Sequence, residues 1–234
     1  MFGAGRLAGM DRTVEGDLGL RERKKQRTRQ LIADTARRLF AERGFDRVTV
    51  AEIAREAEVA QATVFNYFPT KEDLFYSRLE AFEEGLLAAV RDRAPGQGVL
   101  AAFGAFLLGQ GGVLAMNTPG GDDEATVQVR TVTRVITESP ALLARERQVF
   151  DHYALALAAL IAEETGAEEG DVVPLVVANA LLGLHRALIA YVREQALAGA
   201  PAARIRAGVR AEAGRAIARL ERGLGDVGVR PPAG

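Results

Sequence analysis

Apolar residues recur at three-and-four spacing along most of this chain. The first clear stripe is Leu31, Ile32, Thr35, Ala36, Leu39 and Phe40, one face of an amphipathic helix. Gly44 ends it, because glycine can take the left-handed C-cap conformation and Phe45 just beyond can fold back onto the last turn. Thr49 and Glu52 then stand at capping-box spacing, opening a short helix with Val50, Ile53, Ala54 and Ala57 inward. A turn at Glu58 and Val59 leads to a second short helix, Gln61 to Tyr67. Pro69 disfavours helical geometry at Phe68, and Thr70 with Asp73 can cap the next start. From Lys71 one helix is expected to run to about Arg93. Its stripe of Phe75, Leu79, Phe82, Leu86 and Val90 would serve both halves of the molecule.

After Pro95 the pattern changes, for Val99 to Met116 carries no charge and includes Phe103, Phe106, Leu107 and Leu108. The length approaches that of a membrane span, but Gly104, Gly109, Gln110, Gly111 and Gly112 interrupt it and no flanking anchors follow. A buried helix breaking near Gly111 is the expectation. Asp122 or Asp123 can start the next helix. There Val127, Val129, Thr131, Thr133 and Val135 alternate like a strand, yet Val129, Val132 and Ile136 fit a helical stripe and no partner strand exists. Ser139 as cap and Pro140 in the first turn open a helix carrying Leu143, Phe150, Tyr153, Leu157 and Ile161, closed by Gly166. The acidic loop Glu163 to Asp171 lacks calcium-loop spacing and reads as a connector. Pro174 to Val192 is apolar on nearly every face, which predicts burial on all sides, and His185 and Arg186 argue against a bilayer. Pro201 opens a last helix with Ile205, Val209, Ala213, Ala216, Ile217, Leu220 and Leu224 on one face.

The elements give an all-α fold: an N-terminal three-helix domain with a helix-turn-helix, then a larger C-terminal helical domain. The boundaries expected are a disordered tail over 1–20, the small domain over 21–70, the large one over 71–225 and a flexible tail over 226–234. The absence of cysteine excludes disulfides and thiolate metal sites and fits a reducing, cytoplasmic setting. Net charge is only −1, but Arg21, Arg23, Lys24, Lys25, Arg27 and Arg29 are opposed by Glu22 alone. A basic arm before two short helices and a tight turn suits a nucleic-acid partner, with the second helix entering a major groove. Gln61, Ala62 and Thr63 can approach base edges, the amide suiting adenine and the threonine methyl a thymine methyl. Asn66 follows on the same helix, while Phe65 either packs on DNA or belongs to the core. Catalysis is not expected: His152 and His185 are the only histidines, no nucleophile motif is present, and a lone histidine on an apolar helix is usually a satisfied structural residue. No cofactor and no metal are expected.

At these residues the chain resembles the TetR family of one-component transcriptional regulators. The resemblance runs from about Thr28 to Leu74 through LFAERGF, TVAEIAREA, TVFNYF and KEDL, in the family order. Two departures stand out: Glu58 where the turn is often glycine, and Ala60 where the recognition helix usually has a serine cap. A positive φ at Glu58 would cost about 1 kcal/mol and the missing cap roughly 0.5 to 2. The resemblance implies that Tyr67 and Lys71 clamp phosphates, and that Thr28 with Arg27 and the preceding basic residues extends the backbone contacts or visits the minor groove. It also implies a homodimer through the last two helices, and a double-stranded palindromic operator released when a small effector moves the Lys71 helix.

Phe103, Phe106, Met116, Phe150 and Tyr153, among alanines and glycines, form either a mostly apolar effector cavity or a packed core. Arg134 could meet an acidic group or pair with Glu138; Asn179 and His185 could orient a ligand or bond across a dimer. The resulting expectation is a ligand-responsive repressor with a largely apolar effector. The alternatives are a constitutive or architectural DNA-binding protein, and a helical enzyme or carrier with a vestigial DNA-binding domain. A palindromic operator excludes the last, and ligand-dependent release separates the first two.

Overall fold

Local capping builds the first half of the chain. In the computed structural model, which describes residues 11–77, 79–109 and 121–223, four helices form the N-terminal unit: α1 Asp11–Arg43, α2 Val50–Glu56, α3 Gln61–Tyr67 and α4 Lys71–Phe75. The Thr49 hydroxyl accepts from the Glu52 amide at 3.2 Å while the Glu52 carboxylate accepts from the Thr49 amide at 2.8 Å. Thr70 and Asp73 repeat the device at 3.1 Å in both directions. Two orphan donors are thereby satisfied at each start. Gly44 adopts φ +83° and donates its amide to the Phe40 carbonyl at 2.9 Å, which turns the Phe45 ring back to 5.0 Å from that of Phe40. Ile32, Leu39, Phe40, Ile53, Val64, Phe68 and Leu74 are essentially excluded from solvent around that turn.

Three expectations for this unit need correction. Helix α1 begins at Asp11, so the second half of the expected tail is helical, while residues 1–10 lie outside the described region. Adding residues to an existing helix avoids the nucleation cost, which lets α1 extend through its two glycines. Leu31 is 50% exposed, outside the buried stripe. The single helix from Lys71 is in fact two, α4 and α5 (Leu79–Arg91), with Tyr76 and Ser77 in a turn. Phe75 packs on Phe40 and Phe45 at 6.0 and 6.1 Å, whereas Leu86 and Val90 are buried in the C-terminal unit. The continuous stripe thus belongs to two cores.

The C-terminal unit adds α6 Val99–Leu108, α7 Gly121–Thr137, α8 Pro140–Thr165, α9 Val173–Leu197 and α10 Ala202–Glu221. No strand occurs among the described residues, so the alternation in α7 yields to its helical stripe. Ser139 occupies the cap of α8 without a side-chain cap bond, and Gly166 closes that helix at φ 64°. Leu157, Leu181, Leu188, Ile205 and Val209 centre the core. Helix α6 has ten residues, too few for a bilayer. Helix α9 is long and apolar enough to cross one, but its Leu181, Leu182, Leu188 and Val192 are buried within this unit. Burial of α9 on all sides is not met: Leu175 and Val176 are 39% and 61% exposed. The apolar face of α10 packs inward. Ile217 lies so close to Gly104 that a Cβ there would stand 2.6 Å from its Cδ1, and Tyr191 fills the space beside Gly208. Thr126 caps α10 from another helix, its Oγ1 accepting from the Ala202 amide at 2.7 Å.

Candidate functional site

The side chains of α3 divide cleanly. Val64 and Phe68 are buried, Thr63 and Tyr67 half-buried, and Gln61, Ala62, Phe65 and Asn66 exposed. Positions 61, 62, 65 and 66 share one face because they follow the helical three-and-four spacing. Phe65, 45% exposed, belongs to that face rather than to the core. Ahead of it Glu58 holds φ +55° and Ala60 caps without a side-chain bond, as the two departures predict. The turn closes on backbone alone, with the Val59 amide donating to the Ala54 carbonyl at 2.9 Å.

On α1, Arg21, Arg23, Lys24, Lys25 and Arg27 are exposed. The Thr28 hydroxyl donates to the Lys24 carbonyl of its own helix at 3.0 Å. Arg29 lies 4.9 Å over the Phe68 ring and ties the basic arm to the end of α3. Lys71 has a role the sequence did not disclose. Its Nζ donates to the Phe45 and Val48 carbonyls, both at 3.1 Å, and stands 4.1 Å from the centre of the Phe45 ring. The ammonium staples the α1–α2 connection to α4, a structural duty beside the phosphate contact that the family resemblance implies.

The expected effector residues separate. Phe106, Phe150 and Tyr153 join one aromatic cluster, through Phe82, absent from the expected set, and His185, expected only as a residue that could orient a ligand. Phe82 lies 5.1 Å from Phe106, 5.8 Å from Tyr153 and 4.7 Å from His185, nearly parallel to the last two rings. Phe150 contacts both Tyr153 and His185, at 6.2 and 5.2 Å. Phe103 is buried in the core of the same unit. Arg134 is exposed on α7, and Asn179 is exposed on α9 with its amide donating to the Leu175 carbonyl at 2.9 Å, so neither joins the cluster. Met116 lies outside the described residues.

His185 overturns the expectation of a satisfied structural histidine. It is 5% exposed, and its Nδ1 is buried with no hydrogen-bond partner among the described residues. Burial pushes its pKa down to about 4, so the ring is neutral near pH 7. A buried polar atom left unmatched costs roughly 1–3 kcal/mol. A signal existed in the sequence: Leu181, Leu182, Leu188 and Ile189, three and four positions away, offer no polar neighbour on its own helix.

With this geometry in place, similarity to known proteins is informative. The pattern of the bacterial regulatory proteins, tetR family, matches residues 32–77, and that of the MftR C-terminal domain matches residues 111–205. The HTH-type transcriptional regulator TcmR of Streptomyces glaucescens is 32% identical over 161 residues, 68% of this chain and 70% of TcmR. MftR of Mycobacterium tuberculosis, named for regulating mycofactocin biosynthesis, is 32% identical over 172 residues, 72% of this chain and 80% of MftR. Among solved structures, NalD, the secondary repressor of the MexAB-OprM multidrug efflux pump in Pseudomonas aeruginosa, superposes with a TM-score of 0.51 at 20% identity, covering 82% of this chain and 96% of NalD. That likeness supports the fold alone. With the helix-turn-helix, its exposed reading face and two relatives matched over more than two thirds of their length, the chain belongs to the TetR family of transcriptional regulators and is a DNA-binding regulator.

Proposed function

We propose that the protein is a repressor that binds a palindromic operator as a homodimer in the cytoplasm and leaves it when a small molecule enters the aromatic cluster of the C-terminal unit. The observation that carries the ligand response is the unpartnered Nδ1 of His185 among Phe82, Phe150 and Tyr153. A ligand supplying one hydrogen-bond donor or acceptor there would satisfy an atom that has no partner among the described residues, and the surrounding rings suit a mostly apolar body. To switch the protein from mostly bound to mostly released, the ligand must favour the DNA-incompetent state by about 5 kcal/mol.

Dimerisation is supported by the outward faces of α9 and α10. Val176, Ala180, Gly183 and Ala187 are exposed along α9, and Ala203, Ala207, Ala211 and Gly214 along α10. Small side chains on both helices permit close packing in a four-helix interface. Leu220 is not the residue to test, because it packs against its own core. Gly183 is, since a Cβ there meets nothing within 4 Å. A two-fold dimer would place its recognition helices about 34–36 Å apart, one turn of DNA.

The decisive experiment selects operator DNA from a random pool with the full chain, then screens small molecules for its release. A compound that releases native protein and loses potency against His185→Phe supports the reading. If no compound weakens operator binding, or if His185→Phe responds like the native chain, the ligand response fails and a constitutive DNA-binding regulator takes its place.

A further inference from the structure

Between α8 and α9 the surface opens into a cavity of about 410 Å³. Its floor is Phe150 with Ile189, and its walls bring together Arg147, Arg186 and Arg193 with a single carboxylate, Glu146. The three guanidinium groups are not equivalent. Arg193 forks onto Glu146 at 2.9 and 2.5 Å, and both side chains are less than one-fifth exposed, so this pair is committed to the wall. Arg186 lies 4.8 Å over the Phe150 ring and pairs with Asp151 at 3.1 Å, but that carboxylate is 75% exposed. An exposed pair is worth at most about 1 kcal/mol, so another anion can replace Asp151 with little loss. Arg147 is exposed and makes no ion pair among the described residues. Two exchangeable cations therefore stand over an apolar floor. Phe150 also packs on the rings of Tyr153 and His185, which places the cavity against the aromatic cluster.

We infer that this cavity binds an organic anion: a carboxylate, sulfonate or phosphate held by Arg147 and Arg186, on an apolar, preferably flat body laid against Phe150 and Ile189. Planar guanidinium forks match the oxygens of such groups in a bidentate manner, which a lysine would not reproduce. The volume falls within the range of small-molecule sites. The inference revises the expected effector from largely apolar to amphiphilic and acidic, and places its charged end at Arg147 and Arg186 instead of Arg134. That extension rests on the proposed ligand response, whereas the binding itself does not.

Two fluorescent probes with the same body separate charge from apolar contact: 8-anilino-1-naphthalenesulfonate, and N-phenyl-1-naphthylamine, which lacks the sulfonate. Titrated into the folded full chain, the sulfonate should bind once per chain. Arg147→Gln/Arg186→Gln should weaken it by roughly ten-fold or more, while the neutral probe changes less than about two-fold, since charge-assisted bonds are those lost. Arg204→Gln, on the exposed side of α10, should alter neither. Unchanged sulfonate affinity in the double variant, or equal loss of both probes, overturns the site. So does sulfonate binding that appears only when the dimer is broken by Gly183→Arg, for then a second copy occupies the cavity. Arginine-dependent sulfonate binding with operator affinity unchanged upholds the site and counts against the ligand response alone.

Discussion

The two units of this protein satisfy their polar groups by different means. In the N-terminal unit most constraints are local, namely two capping boxes and a left-handed glycine, and the exception is Lys71, which reaches back to carbonyls on the α1–α2 connection. Its functional face is what remains when local demands are met, the exposed side of α3. In the C-terminal unit the constraints come from residues distant in sequence. Thr126 caps α10, Ile217 requires Gly104, Tyr191 requires Gly208, and His185 meets rings from α5 and α8. Its candidate site is a demand left unmet. A unit that reads DNA needs side chains held rigidly for presentation, whereas the ligand response proposed for the second unit needs a place where binding improves on the unliganded state.

The contrast can be broken most strongly through pH. Burial sets the folded pKa of His185 at about 4, below the ordinary 6.5, so the unfolded chain takes up the proton first. Stability from the neutral imidazole is complete above pH 6.5 and is lost as pH falls toward 4, about 3 kcal/mol in all. Denaturant titrations across that window should show the slope in the native chain and a flatter one in His185→Phe; identical slopes would reject the buried neutral ring.

Lys71→Met probes the N-terminal counterpart. Loss of two hydrogen bonds from a charged donor should destabilise the N-terminal unit by about 2–3 kcal/mol and raise amide exchange at the α1–α2 connection. A clamp used only on phosphate would instead lower DNA affinity and its salt slope with exchange unchanged.

Glu58→Gly should go the other way, stabilising the helix-turn-helix by about 1 kcal/mol through relief of the positive φ. A lower melting temperature would mean that the Glu58 side chain contributes more than its backbone costs. The smallest change in stability is expected for Gly183→Arg. The chain should keep its fold within about 0.5 kcal/mol, as surface substitutions do, while sedimentation shows a monomer and operator binding disappears. A dimer of native affinity would move the interface away from α9.

What the sequence by itself determined is the local part. The starts of α2 and α4 and the Gly44 stop follow from signals within a few residues, since caps and turns act over that range, whereas the positive φ at Glu58 was implied by the family resemblance. The closure of α8 at Gly166 was legible for the same reason, whereas the local pattern of α7 fitted strand and helix alike and only the lack of a partner strand favoured the helix. Only the tertiary structure decided the rest. It divided one periodic stripe between two cores at Tyr76 and Ser77, because periodicity states that a face is buried but not against what. It turned Lys71 inward, since a lysine's long stem reaches carbonyls more than twenty residues earlier in the chain. It excluded Arg134 and Asn179 from the aromatic cluster and brought in Phe82 and His185, because the direction in which a helical face points is set by the helices packed around it, and those are fixed by contacts between residues far apart in sequence.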